Sequence, residues 1–199
     1  NQMTVTYIWS SQNFYSALRN LQDDSSPLTP EAPGIPEILH ISTLCSRAKF
    51  DRTDVPVEER QILADATEAG LIRFAGRHLE HFDDMQNIYP KVFEIPFNSD
   101  NKWAMSIHHK KHANGELTLY IKGAPERVLR LCSTILSNNG PESLTETHQE
   151  KYNEVYEHMA SKGHRVLAFA QVLLPGDQFP VDFEFGKDPI NYPTGDYCF

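Results

Sequence analysis

The stretch that most restricts the fold of this chain is Leu119-Tyr120-Ile121-Lys122-Gly123-Ala124-Pro125-Glu126-Arg127. An apolar, strand-like run ends at Ile121, and Pro125 suits the first position of a helix, where its missing N–H costs nothing. Gly123 sits at the corner, where the lack of a Cβ lets a ligand approach the backbone. Lys122 is thereby held at a strand end beside a helix N-terminus, a geometry that suits an anion such as a nucleotide phosphate. The competing reading is an ordinary strand-to-helix turn carrying a solvated lysine.

Around this corner the sequence alternates between two periods. Met3 to Trp9 alternates as a half-buried strand. Ser10 to Gly34 is polar and carries Pro27, Pro30 and Pro33; it is expected to be a loop with a short helix near Phe14 to Leu18, either a docking loop or a surface insertion. Ile35 to Phe50 places Ile38, Ile41, Leu44, Cys45 and Ala48 on one helical face. A second helix opens at Asp65-Ala66-Thr67-Glu68 and turns Leu71, Ile72, Phe74, Ala75 and Leu79 inward. Lys91 to Phe97 and Trp103 to His108 bracket the turn-rich Asn98 to Asn101 as a hairpin. Asn114-Gly115 signals the next turn, and Leu117 to Ile121 returns. A helix is expected from Pro125 to about Leu136, a loop over Ser137 to Leu144, a helix over Glu146 to Lys162 capped by Gly163, a strand over His164 to Leu174, and a loop from Pro175 to Asn191 anchored by Phe179, Phe183 and Phe185. Hairpins mixed with packing helices predict an α+β fold with a mainly antiparallel twisted sheet flanked by helices.

Composition bounds the class. A chain of 199 residues can bury a sizeable core. No apolar run approaches the roughly 20 residues that span a bilayer, and the start has no signal-peptide pattern. A net charge of -9 argues against nucleic acid or an anionic membrane as a general partner. The 3 cysteines, Cys45, Cys132 and Cys198, have no metal-binding spacing and suggest reduced cytosolic thiols. His108, His109 and His112 cluster near a hairpin tip; solvated loop histidines are the favoured reading over a metal site. There is no Walker A loop and no G-x-G-x-x-G, and no nucleophile has a base beside it in sequence.

Lys122-Gly123-Ala124-Pro125-Glu126-Arg127 resembles the KGAPER signature of the nucleotide-binding (N) domain of P-type cation-transporting ATPases. Three further stretches match in the family's order. Asp65-Ala66-Thr67-Glu68 resembles the DxxE segment that meets adenine. Ile95-Pro96-Phe97-Asn98-Ser99-Asp100-Asn101-Lys102 resembles the IPFNSxNK stretch of the sodium/potassium and proton/potassium pump alpha subunits. Gly163-His164-Arg165-Val166-Leu167-Ala168-Phe169 resembles their GxRVLxF strand. The resemblance implies a single nucleotide-binding domain over 1–199, with hinge segments at about 1–4 and 192–199 leading to a phosphorylation domain. The family's DKTGT segment, with its phosphorylated aspartate, does not occur in the chain.

The site residues follow from the resemblance together with the chemistry an ATP pocket needs. Phe97 supplies a π-face for adenine; without the family it would be read as core. Glu68 would accept from the adenine amino group, although with Asp65 it also forms a capping box. Lys102 and Lys122 would neutralise phosphate charge and cover the base with their aliphatic stems. Gly123 would allow close approach. Arg165 offers a forked donor to phosphate oxygens, with a surface ion pair as its alternative. No catalytic and no metal-ligating residue is expected: the domain would bind ATP or ADP, with Mg2+ held mainly by the phosphorylation domain, and would not hydrolyse ATP itself. The implied partners are the phosphorylation and actuator domains of a longer chain. As isolated the domain would be a monomer outside the bilayer, the cytosolic part of a plasma-membrane pump. The rival functions are a non-catalytic interaction domain with weakened nucleotide binding and a self-sufficient ATP hydrolase. Ala104 and Ala170 stand where many relatives carry glutamine and cysteine, and each is expected to remove a polar contact near the pocket.

Overall fold

A computed structural model describes residues 2–18, 23–111 and 115–199, arranged as two compact units, Asn1–Met85 and Gln86–Phe199. In the first unit, β1 (Tyr7–Ser10) turns through Ser11 and Gln12 into β2 (Asn13–Ser16), and β3 (Ser26–Pro27) adds in parallel. Ser11 and Gln12 take φ of 49° and 63°, the pair of left-handed residues that a two-residue hairpin turn needs. The expected short helix near Phe14 is therefore a strand, and Phe14 stacks on Tyr7 with ring centroids 4.9 Å apart. Neither turn residue is a glycine or asparagine, so the sequence carried no turn signal there.

Gly34, with φ 83°, opens α1 (Ile35–Leu44). The helix stops at Cys45 although apolar spacing continues to Ala48. The Ser46 hydroxyl accepts from the Ala48 N–H at 3.1 Å, a side-chain alternative to the helical ladder. Lys49–Phe50 instead forms β4, paired with β5 (Ile62–Leu63). In α2 (Ala66–His78), the Asp65 carboxylate caps the first turn by accepting from the Glu68 N–H at 2.9 Å. Ile8, Tyr15, Ile35, Leu39, Ile72, Phe74 and Ala75 make the core of this unit. Arg60, with a side chain only 4% exposed, donates to both Asp83 carboxylate oxygens at 2.6 and 2.8 Å and to the Val55 and Thr53 carbonyls. Its guanidinium lies 5.0 Å from the Phe50 ring centroid. It ties the polar 51–59 segment to the turn at Asp83.

The one-turn α3 (Met85–Ile88) follows in sequence. The second unit is built on a seven-stranded sheet of β6 (Lys91–Ile95), β7 (Trp103–His109), β8 (Leu117–Gly123), β9 (Cys132–Ser137), β10 (Gly140–Ser143), β11 (Ala168–Leu174) and β12 (Tyr197–Cys198), in the order β10-β9-β12-β11-β8-β7-β6. Only the β12–β9 pair is parallel, so the expected mainly antiparallel α+β fold is what forms. The sheet has two characters. Ile95, Met105, Ile107, Leu117, Leu119, Ile121, Ala170 and Leu174 share a dry core with Val128 and Tyr197; burying each large aliphatic side chain contributes about 1.5–3 kcal/mol. The period-2 alternation sends Glu94, Ala104, Ser106, His108, Tyr120, Lys122, Phe169 and Gln171 to the other side.

Several expectations in this unit are corrected, among them the strand expected from His164, which begins only at Ala168. The helix at Pro125 is α4 (Pro125–Leu129), five residues long, and does not reach Leu136. Cys132 to Ser137 alternates around the buried Ile135 and is a strand, hydrogen-bonded to β10 across what was expected to be a loop. Sheet pairing overrode a helical spacing that fitted equally well. The α5 helix (Glu146–Ser161) matches its expected span, and Gly163, with φ 77°, closes it: its N–H reaches the Ala160 carbonyl at 2.9 Å and the His164 N–H reaches that of Met159 at 3.3 Å. Within the 192–199 segment, β12 places Tyr197 in the core at 2% exposure. His112 and Asn114, with the turn expected at Asn114-Gly115, lie outside the described residues.

Candidate functional site

Antiparallel pairing brings the C-terminal ends of β6 and β8 and the N-terminal ends of β7 and β11 to one end of the sheet. Phe97, Lys102, Lys122, Gly123 and Arg165 all belong to the chain entering or leaving these four neighbouring strands at that end. The grouping is backbone geometry, independent of any assigned role.

Phe97 follows β6 and is 63% exposed, among the most exposed large apolar side chains of the described residues. It is not a core phenylalanine. The turn after it is closed by hydrogen bonds. The Asn98 carboxamide oxygen accepts from the Asp100 and Asn101 N–H groups at 3.1 and 2.8 Å, and the Asn98 carbonyl accepts from Lys102 N–H at 2.9 Å. Lys102 takes φ 59° and then accepts at its own carbonyl from the Ala124 N–H at 2.9 Å. The turn before β7 is thus bonded to the corner after β8, which places Lys102 and Lys122 on linked backbone.

Lys122 is 8% exposed. It lies opposite Ala104 on β7 and Phe169 on β11, all on the polar side of the sheet. Its solvated-turn reading is therefore excluded by burial. Gly123 has a specific structural reason to be glycine. A Cβ there would lie 2.6 Å from the Trp103 Cα, and closer still to the Lys102 carbonyl oxygen. The room a side chain would take is filled by the start of β7, so this glycine lets two strands of the protein approach. Arg165 is exposed and lies in the link ahead of β11, whose first residue, Ala168, pairs with Gly123.

The short α4 changes the electrostatics expected at this corner. A five-residue helix has a small aligned dipole, so an anion here would depend on the lysine and arginine side chains. Ala104 opposes Lys122 and lies where a longer polar side chain would change the site. Ala170 does not: it opposes Ile121, is 2% exposed and packs in the dry core. The expectation that Ala170 removes a polar contact near the pocket is corrected by the parity of the strand. Glu68 belongs to the first unit. It is half-buried in the opening turn of α2, and its backbone serves the cap made by Asp65.

The expectation that His108 is a solvated loop histidine is corrected: it lies within β7, in a polar layer behind Lys122 that the sequence reading did not describe. His108 is 1% exposed. Its Nδ1–H donates to the Tyr89 carbonyl at 2.8 Å and its Nε2 accepts from the Ser106 hydroxyl at 2.9 Å, while its ring lies 5.6 Å from that of Tyr120. Burial, against a smaller opposing effect from the Tyr89 hydrogen bond, pushes its pKa down to about 4. The alternation of Ser106 and His108 with Met105 and Ile107 was the available signal. Among the described residues no group of His, Cys, Asp or Glu is arranged to hold a metal ion. Burial, with a lesser effect of Cys198, raises the Cys132 thiol to about 12, which leaves it unreactive at neutral pH.

The family described as P-type ATPase, cytoplasmic domain N, matches residues 34–199. The chain belongs to this family. The N-domain match runs through the Lys122 corner and the residues grouped around it. Among known proteins, the chain is 36% identical over 195 residues to the sodium/potassium-transporting ATPase subunit alpha-A of Artemia franciscana, covering 97% of the chain and 20% of that protein. It is 34% identical over 202 residues, its full length, to the potassium-transporting ATPase alpha chain 2 of Rattus norvegicus, again 20% of that protein. The sodium/potassium-transporting ATPase subunit alpha of Drosophila melanogaster is 34% identical over 202 residues, 19% of its length. The chain thus spans about one fifth of the relatives it matches. No helix of the described residues is long and apolar enough to cross a membrane.

Proposed function

We propose that this N domain binds ATP at the end of the sheet where β6, β7, β8 and β11 meet. It presents the γ-phosphate to an aspartate of a separate phosphorylation domain, as part of a sodium/potassium- or proton/potassium-type cation pump. The observation that carries the reading is an exposed aromatic plate, Phe97, one turn of chain from two lysines on linked backbone. Adenine needs such a face, and stacking on it is worth about 1–3 kcal/mol per base. Lys102, Lys122 and Arg165 supply the cations for the phosphates. Gly123 contributes by setting the Lys102–Lys122 linkage. Glu68 is assigned the adenine amino group on the strength of the DxxE resemblance alone.

The domain itself has no catalytic role in this reading. Bringing the γ-phosphate to an acceptor on another domain is catalysis by proximity, in which domain closure supplies the effective concentration. Mg2+ would be held mainly by the phosphorylation domain, and the actuator domain would be a further partner within the pump. The parent protein would lie in the plasma membrane with this domain in the cytosol, joined through hinge segments at about 1–4 and 192–199.

The test is titration of the chain with ATP while following Trp103 emission in a Trp9→Phe background, together with backbone amide shifts. Binding is expected to perturb Phe97, Lys122 and Arg165, and Phe97→Ala is expected to weaken it about tenfold to a hundredfold. A flat titration at millimolar ATP would instead support the interaction-domain reading, which Ala104 favours. Phosphate release that Lys122→Ala abolishes would support a self-sufficient hydrolase.

A further inference from the structure

Four prolines recur at every third residue from β3 into α1: Pro27, Pro30, Pro33 and Pro36. That spacing suits a polyproline II ligand, which turns once every three residues. The folded chain does not adopt that helix. The Ala32 N–H donates to the Thr29 carbonyl at 3.1 Å, and the Ile35 N–H to the Ala32 carbonyl at 3.0 Å. Two consecutive turns thus carry Pro30 and Pro33 at their second position, where the fixed φ of proline fits. Gly34, with φ 83°, completes the second turn, and Pro36 lies in the first turn of α1. The prolines stiffen a connection that is already folded.

What the stiffened connection presents is a hydroxyl. Leu28 and Ala32 are anchored on the core of the first unit, and the Leu28 N–H donates to the Ser16 carbonyl at 3.0 Å. Thr29, between them, is exposed. In Pro27-Leu28-Thr29-Pro30 it has a proline two residues before it and another directly after it. The following proline keeps Thr29 out of the helical region, and Pro30 brings no N–H to an enzyme subsite that lacks an acceptor. The chain holds one other hydroxyl–proline pair, Ser26-Pro27. Ser26 is also exposed, but its backbone is in register with Tyr15 of β2 and no proline stands two residues before it. Charge narrows the enzyme class. From Asp23 to Ser46 the sequence carries Asp23, Asp24, Glu31 and Glu37 and no lysine or arginine, so an enzyme that reads basic residues has nothing complementary to meet.

We propose that Thr29 is the acceptor site of a proline-directed protein kinase. The Thr29 Oγ1 attacks the γ-phosphorus of the ATP held by the kinase. The bond from that phosphorus to the β–γ bridging oxygen breaks, ADP leaves, and the hydroxyl proton passes to the base of the kinase. The phosphate adds about 1.5–2 negative charges at pH 7 to a segment that is already acidic. None of the residues proposed for nucleotide binding takes part, so the site does not depend on that reading.

The experiment incubates the folded full chain with Mg-ATP and a purified mitogen-activated protein kinase. Incorporation is followed by intact mass and located by fragmentation. One phosphoryl group is expected, on Thr29. Because the hydroxyl is already exposed, the rate should stay within about tenfold of that of a peptide of residues 23–34. A site that had to wait for unfolding would react at least about a thousandfold more slowly. Thr29→Val should abolish incorporation and Ser26→Ala should leave it unchanged. Pro30→Ala should slow it about tenfold or more, with the same loss in the peptide, where folding plays no part. Phe97→Ala should leave it unchanged, which keeps this result separate from the fate of the ATP-binding reading. Four results would overturn the proposal: no incorporation in the folded chain, incorporation without kinase, incorporation on Ser26 in place of Thr29, or a rate below the tenfold margin.

Discussion

The buried His108 makes the stability of the second unit depend on pH in a way that can be worked out in advance. Its ring is enclosed at 1% exposure with both nitrogens hydrogen-bonded. Desolvation therefore depresses its pKa to about 4, from the 6.5 of an exposed imidazole. The unfolded chain binds a proton at this position near pH 6.5, and the folded chain resists doing so until about pH 4. The stabilisation is complete above the unfolded pKa and is lost progressively as pH falls towards the folded one. The difference between the two pKa values corresponds to about 3 kcal/mol. Lys91 and His109 disfavour the charged ring and Glu94 favours it, but these are smaller than the desolvation. The assay is denaturant unfolding of the chain and of His108→Gln at intervals from pH 7.5 to 4, read by Trp103 emission in a Trp9→Phe background. Carboxylates and the other histidines titrate in both proteins and cancel in the difference. Wild type should lose about 3 kcal/mol relative to His108→Gln across this range. A His108 ring resonance titrating with a midpoint at or above 6, or a difference curve flat from pH 7.5 to 4.5, would refute the reasoning.

Further perturbations test other links. Gly123→Ala forces a methyl group against the Lys102 and Trp103 backbone; it should cost about 1–3 kcal/mol and weaken ATP binding, read by thermal melting and by titration. Ala104→Gln adds an amide opposite Lys122 and should tighten ATP binding about fivefold, the worth of one net hydrogen bond. Ala170→Cys alters the dry core; it should leave ATP affinity unchanged while shifting the melting temperature. Arg60→Leu orphans the Val55 and Thr53 carbonyls and breaks the fork to Asp83. It should destabilise by roughly 3 kcal/mol, and Arg60→Lys should not restore the loss, because a single ammonium cannot make the bidentate contact.

Elements with one dominant local signal were legible in the sequence. The hairpin around Asn98 was readable because its turn chemistry is carried by the asparagine itself, whose carboxamide bonds two N–H groups of the turn. The end of α5 was readable because Gly163 supplies the left-handed residue. The elements misread are those whose conformation is set from outside the segment. The β1–β2 turn uses Ser11 and Gln12 in a left-handed conformation that neither favours. Tyr7–Phe14 stacking and pairing across the hairpin hold it. Cys132 to Ser137 has a spacing compatible with either period; it is a strand because β10 and β12 offer partners on both sides.

The candidate site divides in the same way, and the division has a physical basis. Residue identity at Phe97, Lys102, Lys122, Gly123 and Arg165 could be read from motifs. Which face each residue serves could not, because facing depends on the parity of strand registration. Ala104 and Ala170 look equivalent in sequence, two alanines each replacing a polar residue of many relatives. Registration puts one opposite Lys122 and the other opposite Ile121. Gly123 likewise answers to the backbone of β7, where sequence reasoning assigned its bare Cα to a ligand. The same parity places Ser106 and His108 behind Lys122, so the lysine stands at the margin of a polar layer. A cation held in that position is already largely out of water, so on the proposed reading a phosphate would have less water to displace from it. The nucleotide reading therefore rests less on how many cations surround the corner than on how firmly the sheet fixes the buried one.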